Sequence, residues 1–218
     1  EDGIAYSSNW ADGIVAVDIG AKKHKESDRS KSQFNPLLAK AGQGSPSNPV
    51  KLAEMKDPTG RNHAAFPYLN EETGQFYIIG GDENFPWGVQ ATKNKPSNPR
   101  GGYHFMNFTD PNNPREDAIY EVPEAGSHNL WIYGDILLAG NYQGGLRIVD
   151  ISGELLGDIY KQGREIAHYL SYHKDGRIPN APMVWGAQPY KDYIFFSDMN
   201  SGLYCVAYED EQKTASAE

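Results

Sequence analysis

The chain repeats itself. GNYQGGLRIV at 140–149 returns without a gap as SDMNSGLYCV at 197–206, so that Gly145 falls on Gly202, 57 residues later. Upstream of that match, YGDILLA at 133–139 lies over YKDYIFF at 190–196, with Asp135 on Asp192. SNWADGIVAVDI at 8–19 lies over GNYQGGLRIVDI at 140–151, with Gly13 on Gly145. A stretched copy is FYIIGGDENF at 76–85, continued after an insert by GGYHFMNFTDP at 101–111. Self-similarity at such a period builds one supersecondary unit over and over, each copy covering the apolar face of the next.

Each copy contains two short β runs around a turn. Ile136–Ala139 form the first run of the clearest copy and Leu146–Val149 the second, separated by Asn141, Gln143, Gly144 and Gly145, which tolerate positive φ. Branched and aromatic residues fill both runs, as a half-buried pleated surface requires. Another apolar run precedes the hairpin: HAAFPYL at 63–69, HNLWIY at 128–133 and VWGAQPY at 184–190. A further strand is expected after it, at 46–55, at 110–122 and, in GELLGDIY, at 153–160. The unit is thus four antiparallel strands, and the density of turn residues leaves no room for long helices.

GGLRIVDIS at 144–152, preceded by HNLWIYGD at 128–135, resembles the LVIVD repeat of bacterial β-propeller proteins. WGAQPYKDYIFFSD at 185–198 with NSGLY at 200–204 resembles the last repeat of that family. The resemblance implies an all-β fold, a β-propeller of four-stranded antiparallel blades, in an exported, periplasmic or cell-surface bacterial protein. About 3–4 blades are visible over 1–208. The hairpin starting at Ile4 has no apolar strand before it, and the one ending near Tyr208 has none after it. The chain is therefore expected to be the C-terminal part of a larger ring, a ring closed by its own two ends being the alternative. Residues 209–218 read as a flexible tail.

Two inserts depart from the repeat. The first, 20–46, carries Lys22, Lys23, Lys25, Arg29, Lys31 and Lys40 against Glu26 and Asp28, a local charge of +4 in a chain of net charge −9. It reads either as a solvated excursion or as a docking loop for an acidic partner or lipid head groups. The second, 84–100, offers Phe85 and Trp87 beside Asn-Pro turns, as binding surface or as cover for a blade edge. The acidic balance argues against nucleic acid as a partner, and no apolar run is long enough to span a membrane. Cys205 is the single cysteine, which excludes disulfides within the chain and reads as a small core residue.

His63 and His128 share one slot, just before the first strand of their copies, and Trp185 occupies that slot in the last copy. A recurring His is usually structural, with Asp150 as its expected partner. The alternative is a set of imidazoles converging on the central funnel, where His63, His128, His168 and His173 would bind metal. The stretch 161–183, with His168, Tyr169, Tyr172, His173 and Arg177, is expected at the ring's mouth. Asp82, Glu83 and Asn84, and likewise Asp198 and Asn200, are the oxygen-rich sets a calcium ion takes, yet Asp and Asn populate turns for conformational reasons alone. No cofactor is therefore expected. HExxH, CxxC, GxSxG and phosphate-loop patterns are all missing from the sequence, so no catalytic residue is assigned. The function expected is a non-catalytic scaffold for a protein or glycan partner, or a subunit of a larger assembly. Its candidate binding residues are His63, His128, His168, His173, Trp185, Phe85 and Trp87. The alternative is a metal-binding or enzymatic propeller with its site in the funnel.

Overall fold

A computed structural model describes residues 2–25, 34–89, 92 and 95–208. Arg29, Lys31, Glu26 and Asp28 of the first insert, parts of the second, and the tail at 209–218 lie outside the described residues. The fold is all-β, four sheets following one another along the chain. The first holds β1 (Ile4–Ser8), β2 (Ile14–Asp18) and β3 (Val50–Met55). The second holds β4 (Asn62–Asn70), β5 (Gln75–Asp82), β6 (Tyr103–Asn107) and β7 (Arg115–Tyr120). The third begins with β8 (Leu130–Tyr133), β9 (Ile136–Gly140) and β10 (Leu146–Asp150). The chain then returns to β7 as β11 (Gly157–Asp158), the one parallel pairing among the named strands, before closing the third sheet with β12 (Glu165–Tyr169). The last sheet holds β13 (Val184–Tyr190), β14 (Tyr193–Asp198) and β15 (Gly202–Val206).

The repeat fixes register as well as sequence. Ser8 faces Ile14, Gly140 faces Leu146 and Ser197 faces Leu203, which are the same two positions of three copies. The turn between them is also reproduced. In the first copy the Asn9 amide donates to the Gly13 carbonyl at 2.9 Å, and the Asn141 amide does the same to Gly145. Gly13 and Gly145 both have positive φ, at 77° and 78°. A Cβ on either would lie 2.2 Å from a backbone oxygen, that of Met55 or Tyr169, so only glycine fits.

The sheets stack face to face. Alternate residues of one strand point to opposite sides, so a central strand contributes to two cores. On β9 Leu137 joins Tyr77, Ile79, Phe105 and Val149 against the second sheet, and Leu138 joins Ile148, Val184 and Phe196 against the fourth. On β5 Ile78 turns the other way, packing with Ile4, Ile14, Met106 and Phe108 against the first sheet. Each fully buried aliphatic or aromatic side chain there stabilises the fold by about 1.5–3 kcal/mol before entropy is charged. The leading strands β4, β8 and β13 contact one another in turn, and β1 continues the row beside β4. Their turn ends therefore converge on one face of the molecule.

Several expectations are corrected. The segment 153–160 is not the outer strand of its own sheet; β12 is, and β11 pairs with the neighbouring sheet. Gly153 and Gly157 both take positive φ, which breaks an extended run, while Leu155 and Ile159 are buried in the core shared with the second sheet. Cys205 is exposed rather than part of a core, because β15 is an edge strand. Trp10, Trp185 and Tyr190 are substantially exposed rather than packed between sheets. The base of the first insert is no solvated excursion. Leu37 and Leu38 of a short 3-10 turn at Pro36–Ala39 are buried with Phe76 and Phe108. The buried Asp18 carboxylate accepts from the amides of Gly20, Ala21, Gly42, Gln43 and Gly44, tying both ends of that insert together. Those bonds, from Gly20 and Gly44 foremost, hold its pKa far below the usual carboxylate range. No helix among the described residues is long and apolar enough to cross a membrane.

Candidate functional site

His63, near the start of β4, and His128, just before β8, lie with ring centroids 4.4 Å apart. The shared slot in two copies thus becomes a contact in space. Trp185, in that slot on β13, stacks on His128 at 5.3 Å with the rings 11° from parallel. Glu83, the residue after β5, reaches both imidazoles: its Oε2 lies 3.3 Å from His63 Nδ1 and its Oε1 3.6 Å from His128 Nε2. His128 Nδ1 lies 3.0 Å from the Trp185 carbonyl. A carbonyl only accepts, so the ring's proton sits on Nδ1 and its Nε2 lone pair faces Glu83. Burial first, and the charge of His63 second, lower the His128 pKa below the ordinary histidine value.

Two aromatic residues frame this cluster from strained turns. Trp10 and Tyr142 are equivalent in the repeat and both adopt left-handed backbone, at φ 52° and 37°. Bulky residues rarely take that conformation, which costs on the order of 1–3 kcal/mol and gathers at functional positions. Each amide is bonded to the next leading strand, Trp10 to the Asn62 carbonyl at 2.8 Å and Tyr142 to Val184 at 2.9 Å. The turn thereby aims one ring at His63 (5.7 Å) and the other at His128 (5.4 Å). The Tyr142 hydroxyl donates to Glu83 Oε1, and Phe85 packs edge-on against its ring at 5.5 Å. Burial, then the bond to Glu83, keeps the Tyr142 phenol well above its usual pKa.

Above the cluster opens a cleft of about 570 Å³, walled by Trp10, Phe85, Tyr142, Met183 and Trp185, with Glu83 in its lining and Arg177 at its edge. Ser97 belongs both to this cleft and to a neighbouring groove of about 740 Å³ lined by Trp87, Asn98, Gln143, Tyr172 and Asn180. Trp87 is 68% exposed beneath the Arg100 guanidinium, 5.2 Å from its ring. The turn face is therefore a continuous surface of exposed rings and side-chain amides.

A second acid–histidine group behaves differently. His104 on β6 is buried, its Nε2 3.1 Å from Asp82 and its Nδ1 2.5 Å from Glu116. The Thr59 hydroxyl lies 2.7 Å from a carboxylate oxygen of Asp82 and of Asp57. Burial opposes a charge here, yet the bonds to Asp82 and Glu116 outweigh it and raise the His104 pKa to about 10. Both ring nitrogens are engaged by acids. This is a latch between strands.

Of the residues singled out from sequence, His63, His128, Trp185 and Phe85 meet in one place, and Trp87 borders it. His168 is not brought there: its Nδ1 pairs with Glu165 at 2.9 Å on β12. His173 sits in an exposed turn, its Nδ1 accepting from the Asp175 amide. Asp150 is not the partner of His63 or His128; its carboxylate accepts from the Ser152 amide and hydroxyl. The three residues Asp82, Glu83 and Asn84 form no common oxygen site. Successive side chains alternate, sending Asp82 to His104 and Glu83 to His63, while the Asn84 backbone bridges Arg100. Asp198 and Asn200 brace the last turn, accepting from Met183 and Ile178 amides. Glu83 as the bridge and Tyr142 as its orienter were not singled out as site residues. The signal for Tyr142 was its equivalence to Trp10.

No protein-family model matches this chain, and no curated protein matches it.

Proposed function

We propose that the four sheets are blades of a β-propeller of the LVIVD-repeat kind, and that the protein is a non-catalytic binding protein for a glycan. The single observation that carries the second part is the turn face itself. Trp10, Trp185, Trp87 and Tyr172 expose 50, 39, 68 and 60% of their surface along two joined grooves, the second of which is also lined by Asn98, Gln143 and Asn180. Exposed aromatic rings on a folded surface mark interaction sites. A sugar presents CH-rich faces that stack on such rings and hydroxyl edges that pair with side-chain amides, so a groove that offers both suits it. The joined grooves suit several sugar units rather than one.

The edge strands support the ring. β1 has no inner neighbour and β15 no outer one among the described residues, whereas the third sheet has both. Strands supplied by more of this polypeptide or by another chain would complete the first and last blades and cover their edges. An exported or cell-surface position, as the repeat resemblance implies, gives such a protein access to glycans.

The test is binding of the full chain to an oligosaccharide array, followed by calorimetry on the best ligand. Trp87→Ala and Trp185→Ala are expected to weaken that ligand about two- to tenfold each, as loss of one stacked ring at about 0.5–1.5 kcal/mol requires. Absence of any glycan binding, or binding that both substitutions leave unchanged, would reject the reading.

A further inference from the structure

We infer that His63, Glu83 and His128 form a site for one divalent transition-metal ion of the zinc or cobalt type. The inference stands on these three side chains and not on the glycan reading, so either can fail alone. One donor atom from each lies within 4.8 Å of the others. Ligands about 2.0–2.1 Å from a tetrahedral ion sit about 3.3–3.4 Å from each other. Glu83 Oε2 lies 3.3 Å from His63 Nδ1 and its Oε1 3.6 Å from His128 Nε2, separations of that size for a carboxylate that turns one oxygen to each imidazole. The donor set, two imidazole nitrogens and one carboxylate, suits borderline metals and argues against calcium, which takes oxygen.

The surroundings do what an outer ligand shell does. A metal-bound imidazole holds its second nitrogen in a hydrogen bond, which fixes tautomer and ring orientation. His128 has that arrangement, with Nδ1 tied to the Trp185 carbonyl at 3.0 Å and Nε2 left with its lone pair on the Glu83 side. The Glu83 carboxylate is oriented by the Tyr142 hydroxyl. Three protein ligands leave at least one position for water or a ligand atom, and the neighbouring cleft, which Glu83 helps to line, gives it access. The other acid–histidine group differs in the feature that matters. His104 has an acid on each ring nitrogen and so offers no free lone pair.

The experiment uses the full chain, stripped with chelator and titrated with Zn²⁺ by calorimetry and with Co²⁺ by visible absorption. One equivalent is expected to bind, Co²⁺ showing the d–d bands of a four- or five-coordinate nitrogen–oxygen site. His63→Ala and His128→Ala are expected to weaken binding about a hundredfold or more, and Tyr142→Phe about tenfold through loss of carboxylate orientation. His168→Ala is expected to change nothing. The Co²⁺ spectrum of the unaltered chain keeps the inference testable even if an alanine variant fails to fold. Failure to take up either ion, or uptake that survives the His63 and His128 substitutions, overturns it.

Discussion

Asp82 and Glu83 are neighbours in the chain and belong to opposite designs. Asp82 is buried beside His104, and Glu83 turns the other way to His63 and His128 beneath an open cleft. Both groups combine acids with imidazole. In one, two carboxylates flank a single histidine, so the ring gains a proton and the group closes on itself. In the other, one carboxylate serves two histidines, one of them, His128, with its pKa lowered by burial and by the charge of the other. The ratio of acids to imidazoles, together with access to the cleft, separates a fastening from a binding site. The pleat of β5 makes that separation possible, because adjacent residues leave a strand on opposite faces.

The largest effect is expected where the fastening is broken. His104→Ala leaves Asp82 and Glu116 without their partner, and removing one member of a buried pair costs about 3–5 kcal/mol, readable by urea denaturation. The same group sets a pH slope. Because the His104 pKa is about 10 in the folded chain, above the 6.5 of an ordinary histidine, its stabilisation is complete below about pH 6.5. It is lost progressively as pH rises towards about 10, and a His104→Gln variant should lack that part of the slope in urea titrations across this range. A stability that does not decline there would mean His104 is neutral and the contrast with His128 is false.

The next effect strikes the turn that presents Tyr142. Gly145→Ala meets both a left-handed φ and the Tyr169 carbonyl, and should cost about 2 kcal/mol or more by thermal or chemical unfolding. Gly13→Ala should cost a similar amount, since its turn is the same unit. Unequal costs would show that the two copies are not structural equivalents. Tyr142→Phe removes one hydrogen bond to Glu83 and should destabilise by about 1 kcal/mol while lowering metal affinity. A change in stability without a change in affinity would sever Tyr142 from the site. Cys205→Ser, on an exposed edge strand, should stay within about 0.5 kcal/mol and sets the baseline for the series.

The repeat made much of the scaffold legible. It placed the hairpins, their common register through Gly13, Gly145 and Gly202, and the two three-stranded sheets. It also paired His63 with His128, since one slot in consecutive copies becomes one neighbourhood in space. Pairing partners outside the repeat were not legible. GELLGDIY shows an apolar pattern like that of an outer strand, but Gly153 and Gly157 at positive φ bend it across to β7. The site's acid was hidden for a different reason. Asp82, Glu83 and Asn84 look like one oxygen cluster in sequence, and only the pleat divides them. Cys205 looked internal by analogy with Ile148, yet Ile148 lies between two strands and Cys205 has one only.

The contrast between the two acid–histidine groups is tested most directly by anomalous diffraction from crystals of the full chain grown with Co²⁺. The prediction is one peak bounded by His63 Nδ1, Glu83 and His128 Nε2, and none at His104. A peak between Asp57, Asp82 and His104, or no ordered cobalt at either group, would contradict it.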